Sequence, residues 1–212
     1  MLANALGASR TWLIDAGPFA RMDAAAYAAM DALLRQQHLD VPPGDTPRTL
    51  AEVLQRCEGI YLTNGLASLR QVPTATIDFC FSNAVLEHID KRELVPMVQE
   101  FRRVLKPDGV ATHRVDLKDH LGGGLAHLRF SNAVWEGRLF RNSGFYTNRI
   151  RFGEMVNIFV QAGFDCSLPR VDRWDVLPLK RAQLDSVFRT LPEADLLVSG
   201  FDIVLTPQRK PG

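Results

Sequence analysis

Cysteine is scarce in this 212-residue chain: Cys57, Cys80 and Cys166 lie far apart and form no C-x-x-C pair. An odd number at wide spacing argues against a disulfide framework and for reduced thiols in a cytosolic protein, with Cys80 expected in the core. Long hydrophobic runs are also missing, and nothing approaches the roughly 18 apolar residues of a membrane span. The opening Met1 to Arg10 has no basic stretch leading into an apolar one, and Arg10 and Asp15 break up the apolar residues around them, so no secretory signal is read and a cytoplasmic location is expected. Charge of either sign is not in excess: 25 Lys and Arg face 24 Asp and Glu, for a formal net charge of +1, without a basic block. That balance argues against nucleic acid as a partner, because phosphate affinity comes from clustered cations. A chain of this length can bury enough surface to hold a core with neither disulfides nor a structural metal.

What is present is an alternation of strand-like and helix-like segments. Thr11 to Ala16 is a short apolar run with Asp15 near its end, closed by Gly17-Pro18 and suited to a buried strand with Trp12 in the core. Asp23 to Gln37 has helical spacing, Pro42-Pro43-Gly44-Asp45 marks a loop, and a second helix is expected from about Thr49 to Cys57. Gly59 to Thr63 is a strand candidate followed by the turn pair Asn64-Gly65, and Ile77 to Ser82 is the clearest strand. Asp90 with Glu93 resembles a capping box, opening a helix through Leu94, Val98, Phe101 and Leu105 that Lys106-Pro107-Asp108-Gly109 should end. Val110 to Leu117 reads as a strand, the segment around 132–139 as partly helical, and Arg149 to Ala162 as a helix with Gly163 at its C′ position. Phe164 to Arg173 and Leu196 to Thr206 should close the chain as two strands flanking a helix from Lys180 to Leu191. The order implies an α/β fold with a mostly parallel sheet, helices on both faces and an antiparallel edge at its C-terminal end. Ligands in such folds sit beyond the carboxyl ends of the strands, where Asp15, Asn64, Ser82 to His88 and Asp116 to His120 fall.

The run Ile77-Asp-Phe-Cys-Phe-Ser-Asn-Ala-Val-Leu-Glu-His-Ile89, followed by Glu100-Phe-Arg-Arg-Val-Leu-Lys-Pro-Asp-Gly109, resembles the fourth strand, Leu-Glu-His segment and next helix of class I S-adenosylmethionine-dependent methyltransferases, the type 11 branch above all. The resemblance is strongest from Ala51 to Leu121 and implies a single Rossmann-like methyltransferase domain over residues 1–212. It implies S-adenosyl-L-methionine as cofactor and methyl transfer to a small-molecule or saccharide-like acceptor. Carried over by position, Asp15 is expected to bond the ribose hydroxyls, with Gly17 beside it, because a carboxylate accepts from both hydroxyls of a diol. Asn64, Gly65 and Leu66 match the stretch along the adenine; the family often has Asp where Asn64 stands. Ser82, Asn83, Ala84 and Val85 match the floor under the methionine part, and Leu86, Glu87 and His88 the edge of the methyl-transfer cleft.

One departure is large. The family's domain opens with a strand ending in Asp/Glu-x-Gly-x-Gly, and no such sequence precedes Asp15. Leu2 to Gly7 resembles the last turns of the helix that follows that loop, so the chain is expected to be N-terminally incomplete. The family's first strand lies mid-sheet, between the second and fourth, and its absence would leave two strand edges unpaired. A start codon placed too far downstream, a fragment or degraded gene product, and another element filling the gap are the three explanations. The alternative function is therefore a truncated, non-catalytic methyltransferase-like protein that at most binds a partner chain; a homo-oligomer is left open. The cofactor is expected to bind poorly to such a chain.

Candidate bases for the acceptor are His88, Asp119 and His120. An imidazole titrates near neutral pH, although a helix-start histidine bonded to a backbone carbonyl is an equal reading of His88. Asp116, Asp119 and His120 cluster after a strand, with a network linking Lys118, Asp119 and Arg114 as the bland alternative. Strand alternation puts His113 and Asp116 on opposite faces, so no metal site is assigned. Residues 118–147, with Gly122-Gly123-Gly124 as a hinge, are expected to be an inserted lid or substrate segment. Tyr146, Asn148, Arg149 and Arg151 could line an acceptor pocket, and Trp135 and Trp174 could stack on a ring, with caps and packing as the alternatives.

Overall fold

The computed structural model describes residues 1–41 and 44–209, so the loop expected at Pro42-Pro43 lies outside the described residues. The chain forms two compact units, Met1–Val72 and Pro73–Gly212. In the first, α1 (Leu2–Ala5), β1 (Thr11–Ile14), α2 (Ala24–Gln36), α3 (Leu50–Arg56), β2 (Gly59–Leu62) and α4 (Gly65–Leu69) follow in order. β1 and β2 pair in parallel, from Thr11 opposite Gly59 to Ile14 opposite Leu62. Polar side chains start the helices as their types require: Asp23 accepts from the Ala26 N–H ahead of α2, and Thr49 from the Glu52 N–H ahead of α3. Trp12, expected in the core, is only half-buried, because a two-stranded sheet covers less of each face.

The second unit holds β3 (Ile77–Asn83), α5 (Lys91–Val104), β4 (Leu105–Asp116), α6 (Asn132–Trp135), α7 (Arg138–Arg141), α8 (Phe152–Gln161), β5 (Phe164–Arg173), α9 (Ser186–Arg189), α10 (Glu193–Leu196) and β6 (Val198–Pro207). Its sheet has the order β3-β4-β6-β5, with β3 and β4 parallel and β6 antiparallel to both of its neighbours. Alternation along β4 buries Ala111, His113 and Val115, while Thr112, Arg114 and Asp116 stay half-exposed. His113 stacks between Phe101 of α5 and Phe159 of α8, with ring centroids 5.3 and 6.0 Å away. On the other face Arg114 donates to Asp172 and Asp202, one from each of β5 and β6.

Lys106-Pro107-Asp108-Gly109 does not cap a helix; α5 stops at Val104, and β4 already includes these residues as an irregularity opposite Ile77 and Phe79. Pro107 bars the α conformation at Lys106, which sends the chain into extended form early. Gly109 is required there, since a Cβ would lie 2.9 Å from the Ile77 carbonyl oxygen. α8 begins at Phe152 rather than Arg149, whose φ is 59°. Gly163 follows it with φ 86°, as a C′ residue should. The helix expected over Lys180 to Leu191 is a short 3₁₀ turn at Arg181–Gln183 and then α9, because Asp185 turns back to cap Val187. Likewise 132–139 is two short pieces, α6 and the start of α7. Cys80 is half-buried rather than fully in the core, and burial pushes its thiol up to about 11.

Candidate functional site

At the carboxyl end of the first unit's sheet, the ladder continues one bond past β1, from Asp15 N–H to the Leu62 carbonyl at 2.9 Å. The half-exposed Asp15 carboxylate accepts from the Ala16 N–H at 2.7 Å and from the Tyr61 hydroxyl at 3.2 Å. A carboxylate has roughly four lone-pair sites, so the two that remain suit a diol. Gly17 is buried and gives its carbonyl to the Tyr61 hydroxyl at 3.1 Å. The Gly65 N–H donates to the Asp15 carbonyl at 2.8 Å, which ties the start of α4 to the end of β1. Asn64 is half-exposed, its N–H held by the Ser68 hydroxyl, and Leu66 is buried. The fold thus gathers Asp15, Gly17, Asn64, Gly65 and Leu66 at one sheet end, and their chemistry fits a nucleoside.

The residues at the end of β3 and just past it divide into committed and available groups. The Ser82 hydroxyl is 2.7 Å from His113 Nδ1 on the packed face of the sheet, where burial holds that imidazole down at about 4. Asn83 and Ala84 are exposed, Ala84 with φ 52°. Glu87 is buried; one carboxylate oxygen accepts from the Asp116 N–H at 3.3 Å and the other has no partner. Burial raises its carboxyl to about 7, outweighing the hydrogen bonds and the nearby His88 that favour the charged form.

His88, at the end of the 3₁₀ turn Leu86–His88, and His120, four residues past β4, come together from loops 32 positions apart in sequence. Both are exposed, their rings stack with centroids 5.0 Å apart, and their Nε2 atoms are 3.3 Å apart. His88 Nδ1 lies 2.9 Å from the Tyr146 carbonyl oxygen, the backbone bond anticipated for it.

Asp119 does not join them. It is buried, accepting from the Leu121 N–H at 2.8 Å and the Ala126 N–H at 2.5 Å, with His127 Nδ1 3.6 Å away. Burial alone would raise its carboxyl, but these donors outweigh it and hold it well below the usual carboxylate range. The network expected among Lys118, Asp119 and Arg114 is absent, since Lys118 pairs with Asp116 and Arg114 with Asp172 and Asp202. Asp119 instead closes the Gly122-Gly123-Gly124 turn, bonding by its N–H to the Gly124 carbonyl and by its carbonyl to the Gly123 N–H.

The run Tyr146 to Arg151 is buried throughout; the Tyr146 hydroxyl donates to Glu136 at 3.0 Å, and Asn148, Arg149 and Arg151 are committed largely to backbone carbonyls. Asn148 donates to the Leu86 and Ile89 carbonyls, at 2.8 and 3.1 Å, so it clamps the turn that carries His88. Arg149 donates to the His127 and Phe130 carbonyls and to Asn132, and lies over Trp135 and Phe188. Arg151 donates to the Leu117, Asp195, Leu196 and Val198 carbonyls. Trp135 is buried with its indole N–H on the Thr147 carbonyl at 2.7 Å, and Trp174 packs beside Leu125, Leu128, Leu184, Phe188 and Leu196. Among the described residues no group of three or more His, Cys, Asp or Glu is arranged to hold a metal ion, and no helix is long and apolar enough to cross a membrane.

Parallel pairs with polar residues at their carboxyl ends, and two antiparallel pairings completing the second sheet, define a Rossmann-like α/β protein. Residues 26–112 match the family model described as a methyltransferase domain, and the chain is methyltransferase type 11-like in that stretch, less than half its length. Among solved structures, the chain is similar to a SAM-dependent methyltransferase from Methanosarcina mazei, at 15% identity over 99% of this chain and 87% of that one with a TM-score of 0.49. It is also similar to the YcgJ protein from Bacillus subtilis, at 12% identity over 99% and 87% with a TM-score of 0.47. A third is the 1,6-didemethyltoxoflavin-N1-methyltransferase from Burkholderia thailandensis with bound S-adenosylhomocysteine, at 14% identity over 98% and 75% with a TM-score of 0.45. No curated protein sequence matches the chain.

Proposed function

We propose that the protein transfers a methyl group from S-adenosyl-L-methionine to a small-molecule acceptor of saccharide-like type. The observation that carries this is positional: Asp15 and Asn64 follow parallel strands β1 and β2, and the segment from Ser82 to His88 spans the end and exit of β3, as the methyltransferase resemblance requires. The cofactor supplies an activated methyl on a sulfonium, so the protein has mainly to bind, orient and deprotonate. In this reading Asp15, Gly17, Asn64, Gly65 and Leu66 hold the adenosine. The resemblance assigns Ser82, Asn83, Ala84 and Glu87 to the methionine part; Asn83 and Ala84 are exposed, whereas Ser82 is bonded to His113 and Glu87 is buried. His88 and His120 serve the acceptor.

The test is calorimetry of the full chain with S-adenosylmethionine. Micromolar binding that Asp15→Ala weakens at least about tenfold supports the reading, a loss of about 1.4 kcal/mol for a charge-assisted pair. No binding, or binding indifferent to Asp15→Ala, refutes it.

A second reading, a non-catalytic protein that binds a partner chain, has its own observation. β3 pairs only with β4 among the described residues, and Phe79 and Phe81 on it are 57% and 68% exposed. An unpaired apolar strand edge is a template for strand addition. A mass in solution that Phe81→Lys leaves unchanged counts against it.

A further inference from the structure

The strongest unassigned feature is the order of protons in the His88–His120 pair. A carbonyl oxygen only accepts, so the contact of His88 Nδ1 with the Tyr146 carbonyl at 2.9 Å places a proton on Nδ1. Neutral His88 then carries its lone pair on Nε2, and that atom faces His120 Nε2 at 3.3 Å. One proton must lie between the two nitrogens, and it belongs to His120. His120 therefore keeps its lone pair on Nδ1, the nitrogen not spent on His88, in a residue exposed to solvent.

We propose that His120 Nδ1 is the base of this site, that His88 is its positioning residue, and that the acceptor group is a hydroxyl. The proposal rests on the methyl-transfer reading above. Chemistry selects the hydroxyl: a neutral amine attacks with its own lone pair and can lose its proton afterwards, whereas an alcohol or phenol is a weak nucleophile until its proton leaves. As the acceptor oxygen forms its bond to the methyl carbon, the carbon–sulfur bond of the sulfonium breaks and its electron pair stays on sulfur. The hydroxyl proton goes to His120 Nδ1, and the His120 Nε2 proton passes to His88 Nε2. The resulting charge sits on His88, held by the Tyr146 carbonyl and next to the Glu87 carboxyl in sequence. The turn bearing His88 is fixed by Asn148, so the pair is oriented before an acceptor arrives.

The first arm of the test needs no methyl donor. Diethyl pyrocarbonate acylates an imidazole nitrogen only where a lone pair is free, and peptide mass spectrometry locates the label. In the full chain His120 should be labelled and His88 spared; in His120→Ala, His88 Nε2 is released and should be labelled. Equal labelling of His88 in both proteins overturns the proton order, as does stoichiometric zinc uptake that either His→Ala change abolishes. The second arm measures methyl transfer to methyl glucoside and to aniline, an amine that is uncharged at neutral pH. Transfer to the glucoside that falls about 100-fold in His120→Ala, and in His88→Phe through kcat with KM unchanged, supports the proposal. Transfer to aniline at an equal rate with and without His120, or transfer to neither probe, overturns the hydroxyl acceptor. A chain that shows the labelling pattern but does not bind S-adenosylmethionine refutes the methyl-transfer reading and leaves the proton order standing.

Discussion

Removing the Trp135 side chain should cost more than any other change in the segment between β4 and α8, and the structure gives the terms. The ring is fully buried among Phe130, Phe140, Phe145 and Tyr146, with ring centroids 4.9 to 6.4 Å away. Its N–H donates to the Thr147 carbonyl at 2.7 Å, and the Arg149 guanidinium lies 5.3 Å from its centroid. Truncating a packed Trp to Ala costs about 3–5 kcal/mol, and an orphaned carbonyl and a lost cation–π contact each add about 1. Trp135→Ala should therefore destabilise the second unit by about 5–7 kcal/mol, which lowers its thermal midpoint by about 10–28 °C at 2–4 °C per kcal/mol. Trp135→Phe keeps most of the packing and loses the hydrogen bond, for about 2 kcal/mol. Near-ultraviolet circular dichroism follows the melt, since Trp174 in the same unit remains as a reporter. Leu139→Ala is the internal control, because that side chain belongs to the same segment and is 80% exposed. If Trp135→Ala lowers the midpoint no more than Leu139→Ala does, the segment is not held by this cluster and the reasoning fails.

Two other expectations concern the turn that carries His88. Asn148→Ala removes the donor to two carbonyls and should cost about 2–3 kcal/mol in urea unfolding; Asn148→Asp sets a carboxylate against the same two carbonyls and should cost more at neutral pH. An aspartate variant as stable as the alanine one contradicts this. Glu87 has its folded carboxyl raised to about 7 by burial, so its contribution is complete below the unfolded value of 4.5 and is lost as pH rises through 7. Stability should fall by about 3 kcal/mol across that window in the unaltered chain, and Glu87→Gln should flatten the slope. Urea midpoints that move in parallel for the two proteins would exclude the effect.

What was legible in the sequence is what depends on neighbours a few residues away. An aromatic-rich run ending in Ser82-Asn83 marked β3, and Asp90 with Glu93 marked the start of α5, where the Asp90 side chain caps Arg92. The antiparallel closing pair was read from order alone, and β6 does pair antiparallel with β5. Less legible were places where a distant partner decides. Lys106 to Gly109 carries every local mark of a helix stop, yet the residues extend because β3 lies alongside and its carbonyls leave room there for glycine alone. The segment from Lys180 to Leu191 has helical composition, but Leu184 and Phe188 are needed in a second small core with Leu125 and Leu128, and one uninterrupted helix is not what forms. α4 was missed because Asn64-Gly65 is a turn signal as well as a helix start, and only the bond from Gly65 to Asp15 distinguishes them.

The site separates the same way, at the level of single residues. Asp119 and His120 are adjacent, both ionisable and both past the end of β4, so sequence alone treats them alike. The chain turns tightly at Gly122 to Gly124, and the N–H groups of Leu121 and Ala126 on either side of that turn have no strand to pair with. Buried donors must find acceptors, and the side chain that accepts from both is Asp119. That requirement takes Asp119 out of solvent and, through the geometry of one peptide unit, leaves His120 outside, where it meets His88. The same rule governs Tyr146 to Arg151, whose polar types suggested a pocket: an irregular chain crossing the end of a sheet leaves carbonyls unpaired, and Asn148, Arg149 and Arg151 are spent on them. Polar residues at a strand exit are thus shared between backbone repair and chemistry. His88 does both, since its Nδ1 meets the Tyr146 carbonyl while its Nε2 faces His120, and in the proposed reading these two histidines are the ones left for chemistry.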